Sequence, residues 1–416
     1  MVDSTRTEPV AQADEAPVPT GVQLTTLDER FREDPYPVLD ELREREPIHK
    51  DEILHRYVLT RHDDVKAVVH DRSLSVDPFN ASPGTFEEMF MRGQAEESAR
   101  SMLFSDPPYH TRLRGLVSKA FSAKAVEAMA PRIQQIVDSL LDAVEGQPSF
   151  DLVSSFSAPL PTIVIAEMLG VDPEDRDDFK RWSDDGVLGF NPLISEEEKA
   201  RMQASGEAMA QYLLRAVTER RERPRNDLIT SLVQVEEEGQ RLTDQEIVTM
   251  CALLLAAGNV TTTDLIGNGV LALLRNPEEL RKLQADPSLI KNAVEEMLRY
   301  DSPVTQTGRI PLQDMEVAGC PVAKGESLNP QLSAANHDPA VYPEPHRFDI
   351  TREDTHHHSF GGGVHYCLGA PLARLEAQIA IGTLVRRFPS MRLGDEPVEW
   401  KNIPSFRGVQ RLIVYV

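Results

Sequence analysis

Phe360-Gly-Gly-Gly-Val-His365-Tyr-Cys367-Leu-Gly369-Ala-Pro-Leu-Ala-Arg374 is a glycine-rich loop that delivers one cysteine to the threshold of a helix. A thiolate is stabilised where backbone N–H groups and the partial positive charge of a helix N-terminus point at the sulfur. Gly361, Gly363 and Gly369 keep side chains out of its way, Phe360 is placed to shield it from water, and His365 and Arg374 bring positive or hydrogen-bonding groups. Such a thiolate suits an axial ligand of haem iron, where its electron donation favours O–O cleavage. Other readings compete. A cysteine beside a glycine turn is ordinarily a buried structural thiol, and a phosphate-cradling loop needs a closing Gly-Lys-Ser/Thr that is missing. A zinc site drawn from His356, His357, His358, His365 and Cys367 has no common finger spacing. The bland account of the three consecutive histidines is an exposed polar loop.

Working outward, the 416 residues carry 67 acidic and 44 basic side chains, a net charge of −23. No basic face for nucleic acid is expected. Three cysteines, Cys251, Cys320 and Cys367, make no disulfide framework and suggest a reducing, cytoplasmic setting. The first twenty residues have neither the basic start nor the apolar stretch of an export signal. The longest apolar run, Met250–Ala257, is far short of the roughly 20 residues that cross a bilayer, so no membrane contact is expected. Residues 1–22 read as a disordered leader and residues 23–416 as a single large domain, mainly α with small β-sheets. Between Pro107 and Pro277 the chain is almost continuous helix. Thr243-Asp-Gln-Glu246 is a capping box that opens about 33 helical residues, about 50 Å at the usual rise. Ser73–Ser105 is irregular, yet Phe79, Met89, Phe90, Met91, Met102 and Phe104 make it too apolar for disorder.

Three further constellations stand out. Asp106 reads as an N-cap for a helix starting at Pro107, which puts His110 and Arg114 on one face, within reach of a single anionic group. Glu296 and Arg299 share a helix face at i and i+3, and Arg347 in Pro-Glu-Pro-His-Arg-Phe-Asp supplies a second guanidinium for a buried carboxylate. Ala257-Gly258-Asn259-Val260-Thr261-Thr262-Thr263 has poor helix propensity in mid-helix, so something compensates for it.

From about Leu24 to the C-terminus the chain resembles the cytochrome P450 haem-thiolate monooxygenases in their soluble bacterial form, and the P450 fold is implied. The resemblance makes Cys367 the proximal ligand of haem b, in the loop of Phe360, Gly361 and Gly369. His110, Arg114, Arg309 and His365 would approach the haem propionates, while Glu296, Arg299 and Arg347 would fix the coil that carries the loop. Gly258 and Thr261 would form a groove for dioxygen. The family usually has Asp or Glu before that threonine to relay protons, and here the residue is Val260, which can neither donate nor accept a proton. Rerouting through Asn259, Thr261, Thr262 and water is one answer; slow, uncoupled turnover and use of peroxide are others.

By the same resemblance, an apolar substrate pocket draws on the Ser73–Ser105 loop with Phe79, on Val187–Pro192, Leu254, Ala257, Val304–Thr307 and Phe406. Arg407 is either a partner for a substrate carboxylate or a surface arginine. Electrons are expected from NAD(P)H through a ferredoxin and its reductase, docking near Arg112, Arg114, Lys119 and Lys124. The rivals are a peroxide-driven oxygenase on the same fold, a non-catalytic haem-binding sensor, and a zinc hydrolase.

Overall fold

Thr243 and Glu246 cap the longest helix reciprocally. The Glu246 amide donates to Thr243 Oγ1 (3.2 Å) and the Thr243 amide donates to Glu246 Oε2 (2.8 Å), which satisfies two N–H groups that the first turn leaves orphaned. This is the expected capping box, found in a computed structural model that describes residues 17–91, 101–118, 121–191, 194–237 and 239–416. Most of the 1–22 leader therefore lies outside the described residues. Its end is packed: Thr20 Oγ1 and the Gly21 amide both donate to Asp51 Oδ1 at 2.9 and 3.0 Å.

The helices that position the site are α1 (His62–His70), α2 (Tyr109–Ser118), α3 (Pro159–Leu169), α4 (Arg176–Val187), α5 (Asp244–Arg275), α6 (Ile290–Tyr300) and α7 (Ala370–Arg387). The 32 residues of α5 span about 48 Å, and α3, α4, α6 and α7 all pack on it. Gly267 and Gly269 permit part of that packing, since an added Cβ would lie 2.6 Å from Val409 and 2.6 Å from Met297 respectively. By length and composition α5 is apolar enough to cross a membrane, which the short run Met250–Ala257 did not suggest. Two of its buried polar residues are nonetheless tied inside the protein: Asn268 donates to the Arg407 carbonyl (2.9 Å) and Lys401 holds Asp264 (2.6 Å).

Sheet is minor. Strands β1 (Ile48–Asp51), β2 (Arg56–Leu59) and β3 (Leu328–Pro330) form one sheet, β1 antiparallel and β3 parallel to β2. Other strands are short pieces in ladders of two or three. The architecture is the expected one, mainly helical with small sheets.

One helix start differs from expectation. α2 begins at Tyr109, because the Asp106 carboxylate is engaged elsewhere, accepting from Ser75 Oγ (2.5 Å) and the Val76 amide (2.9 Å). The Asp106 carbonyl still accepts from the His110 amide (3.0 Å), so His110 and Arg114 keep their common face.

Buried acids give the fold a pH signature. Glu376 on α7 is buried with Oε2 unpartnered, and burial raises its pKa from 4.5 to about 8. The folded protein holds this proton over a range where the unfolded chain has released it, so stability falls as pH rises between these two values. Glu376→Gln is expected to reduce that slope by about 1.4 kcal/mol per pH unit. In urea unfolding the variant should match wild type near pH 5 and exceed it at pH 8; parallel profiles would contradict the assignment.

Candidate functional site

The cysteine loop is shaped by close approach to α1. Gly363 has φ +64° and a Cβ there would lie 2.7 Å from the Val69 carbonyl oxygen, while a Cβ on Gly362 would meet the His70 ring at 2.6 Å. Gly361 also has positive φ, +68°. The Cys367 amide donates to the Phe360 carbonyl (3.0 Å), folding the loop back before α7 starts at Ala370. Burial pushes the Cys367 thiol up, and the Gly369 and Ala370 amides with Arg114 and Arg374 pull it down. These are the groups that stabilise a thiolate.

Beside the sulfur lies a cluster of cationic and imidazole groups. The ring centroids of His110 and His365 are 4.2 Å apart, and both ring nitrogens of buried His110 are without a hydrogen-bond partner among the described residues. Burial, with His110, Arg309 and Arg114 nearby, drives the His365 pKa down to about 3. Arg309 is buried, and burial lowers its pKa to about 10. Among the described residues its guanidinium donates to Thr307 Oγ1 (3.3 Å) and the carbonyls of Gly308 (2.7 Å) and Val69 (3.4 Å). Among the described residues none of Arg114, Arg309, His110 and His365 has a carboxylate partner. Burial holds both imidazoles below their usual pKa, so the positive charge here is that of buried Arg309 and half-buried Arg114, which an anion would complete.

The coil that carries the loop hangs on Glu296. Its carboxylate is fully buried and takes both prongs of Arg299 (2.7 and 2.9 Å), the Asp349 amide (3.0 Å) and Arg352 Nε (3.2 Å). The second guanidinium is thus Arg352, correcting the expectation for Arg347. The Arg347 side chain is exposed and pairs with Glu344 (3.2 Å) and Asp349 (3.6 Å); only its carbonyl joins the network, accepting from Arg299 and Arg352. A second anchor was not visible in the sequence. Asn336 donates to Ser302 Oγ and Ser359 Oγ (both 2.9 Å) and accepts from the His358 amide (2.8 Å), while Ser359 Oγ donates to the Leu298 carbonyl (2.6 Å).

In mid-α5, exposed Ala257 and half-buried Thr261 share a face, and Thr261 Oγ1 donates back to the Ala257 carbonyl (2.8 Å). Asn259 points the other way. It accepts from Thr162 Oγ1 (2.9 Å) and donates to Ser183 Oγ (3.0 Å), which binds α5 to α3 and α4 and offsets the poor local propensity. Thr262 is buried as well. Of the three residues considered for a rerouted proton, Thr261 alone faces open space. Gly258 lies against Ile165, with an added Cβ at ordinary contact distance, 3.9 Å. Val260 sits in an apolar cluster with Val187 and Phe406, packed by Val304 and Ile403. Leu254 belongs to the main core, Thr307 is half-buried, and Phe79 is 55% exposed on its own turn. Residues 92–100 of the Ser73–Ser105 loop, and Lys119 and Pro192, lie outside the described residues.

Three expectations are corrected by long-range contacts. Arg112 is paired with Glu246 and is not free for docking. Arg407 is buried, bound to Asp301 (2.6 Å) and stacked 3.9 Å from the Trp400 ring centroid. His358 is buried and so is the His357 side chain; of the three histidines His356 alone is exposed, and no metal-binding cluster occurs among the described residues.

Two carboxylates set between the cations and an iron on the sulfur would balance these charges, so the site fits the haem of the haem-thiolate proteins. The cytochrome P450 family model matches residues 54–402, and the chain belongs to that family. It is 41% identical to cytochrome P450 107B1 of Saccharopolyspora erythraea over 94% of this chain and 97% of that one. It is 39% identical to 6-deoxyerythronolide B hydroxylase of the same organism, over 92% and 96%. The crystal structure of ligand-free CYP164A2 from Mycobacterium smegmatis superposes with a TM-score of 0.87 at 39% identity, covering 95% of this chain and 99% of that one.

The Glu296 network separates the two arginines experimentally. Arg352→Ala leaves a buried carboxylate short of a partner and should cost about 3 kcal/mol or more. Arg347→Ala, on the surface, should cost less than about 1 kcal/mol. Denaturant unfolding measures both, and equal losses would contradict the network.

Proposed function

We propose that this protein inserts one oxygen atom from O2 into a hydrophobic small molecule, with electrons passed from NAD(P)H through a ferredoxin and its reductase in the cytoplasm. The observation that carries the reading is the cysteine loop set beside Arg114 and Arg309, which have no carboxylate ion pair among the described residues. Cys367 would hold the iron, in a loop shaped by Phe360, Gly361 and Gly369, and His110, Arg114, Arg309 and His365 the propionates. Bound haem supplies an iron able to activate dioxygen, and a thiolate ligand favours O–O cleavage.

The chain's own residues do the rest. Ala257 and Thr261 open the α5 face, and rotation of Thr261 Oγ1 away from the Ala257 carbonyl would present a hydroxyl proton there, next to Gly258. Val260, Val304 and Phe406 form an apolar wall, which suits a substrate held by burial and leaves few polar groups to fix its orientation. With its amide engaged by Thr162 and Ser183, Asn259 serves to hold α5 in place.

An acidic ferredoxin would dock over His70, Arg72 and Tyr366, at the cleft they share with the His110 and Arg114 assigned to the propionates. Arg72 is exposed and has no ion pair among the described residues, so steering falls to Arg72 in place of Arg112. One observation favours a second reading, a peroxide-driven oxygenase. The usual proton-relaying acid is replaced by a valine sealed among apolar side chains, and peroxide brings its own protons.

The test is turnover of a panel of apolar compounds under labelled O2, with ferredoxin, reductase and NAD(P)H. Label in the product supports the reading. Turnover only with hydrogen peroxide supports the second, and no product from either contradicts both. Arg72→Glu should slow reduction by ferredoxin several-fold at low salt and much less at high salt; equal slowing at both would contradict steering.

A further inference from the structure

Behind the cysteine loop, three residues from three elements form a chain. His357 is buried and receives the Ser359 amide on Nδ1 (3.2 Å), which leaves its proton on Nε2, and Nε2 donates to Glu295 Oε2 (3.2 Å). Glu295, on α6, takes two prongs of Arg374 from α7: Nε to Oε1 at 2.6 Å and Nη2 to Oε2 at 2.9 Å. The remaining nitrogen, Arg374 Nη1, donates to the Tyr366 hydroxyl (3.2 Å), and the guanidinium lies 4.5 Å from the centroid of the Phe360 ring. Phe360 and Tyr366 are the residues that bracket Cys367, the first through its carbonyl and the second as its chain neighbour.

The pair is therefore an oriented dipole. Its positive end contacts the cysteine loop through Phe360 and Tyr366, and its negative end is held by the His357 imidazole, whose ring lies 5.7 Å from that of Phe360. A tie between two helices needs only the Arg374–Glu295 fork; it does not need the guanidinium to cover Phe360 and reach Tyr366. A fixed positive charge close to a redox centre favours gain of an electron there.

Resting on the haem-thiolate reading above, we propose that His357 and Glu295 are positioning residues that hold the Arg374 guanidinium against the cysteine loop, where its charge raises the reduction potential of the haem iron. The chain sets how readily the protein accepts its first electron. His357 does this without a charge of its own, because burial lowers its pKa and keeps it neutral.

The test is the ferric/ferrous potential of the holoprotein, measured by spectroelectrochemistry without substrate, alongside thermal stability. Arg374→Gln should move the potential to more negative values. His357→Leu, which changes no charge, should move it the same way by a smaller amount, and His357→Gln, which keeps an N–H donor for Glu295, should restore much of it. If Arg374→Gln gives no holoprotein, the two His357 variants carry the test. Lowered stability with wild-type potentials would overturn the proposal and leave the chain as a helix tie. If reduced wild-type protein with carbon monoxide lacks a thiolate signature, the haem-thiolate reading fails first and the proposal with it.

Discussion

The buried carboxylate of Glu296 is the constraint on which the rest of the site depends. The segment from Asn336 to Phe360 has little regular structure, so its backbone groups cannot satisfy one another in a helix or sheet. Arg299 and Arg352 solve this from the Glu296 side. Arg299 Nη1 donates to the carbonyls of Asn336 and Pro345 (both 2.9 Å), and Arg352 donates to those of Pro343 (2.9 Å) and Arg347 (3.0 Å). One carboxylate on α6 thus orders two guanidiniums, and they order the coil that ends in the cysteine loop. The adjacent residue of the same helix, Glu295, reaches His357 and Arg374 at the two ends of that loop. Consecutive acids on α6 therefore fix first the coil and then the loop.

The second organising element is α5. Its cap residue Glu246 also holds Tyr109 and Arg112 of α2, so the helix carrying His110 and Arg114 is registered against the N-terminal end of α5. Its middle is held from behind by Asn259, and its far end by Asp264, Asn268 and the glycines that admit Val409 and Met297. The exposed Ala257 and Thr261 face is what these contacts leave open. A site assembled from α1, α2, α5 and the cysteine loop that leads into α7 needs such cross-ties because, that loop and α7 apart, its parts are far from one another in sequence.

What was legible in the sequence is what short-range chemistry determines. The capping box, the glycines forced by positive φ or close approach, the helix-threshold cysteine and the His110–Arg114 face are encoded within a few residues of where they act. What was misread depends on partners far along the chain. Arg347 and Arg352 stand five residues apart in one polar coil, and contact with Glu296 alone distinguishes them. Asp106 has the chemistry of a helix cap, but Ser75 and Val76 claim its carboxylate. Arg112 resembles a surface charge until Glu246 reaches it, and Arg407 until Asp301 and Trp400 do. The histidine run follows the same rule: Glu295 takes the His357 ring and Asn336 the His358 backbone amide, partners that no local pattern announces.

The central claim is that the Cys367 loop holds haem through its sulfur. The most direct measurement is the absorption spectrum of the dithionite-reduced protein under carbon monoxide. The account predicts a strongly red-shifted Soret band, as a thiolate ligand gives. A band at the position typical of histidine-ligated haem, or no haem band in protein made with ample haem supply, would contradict it.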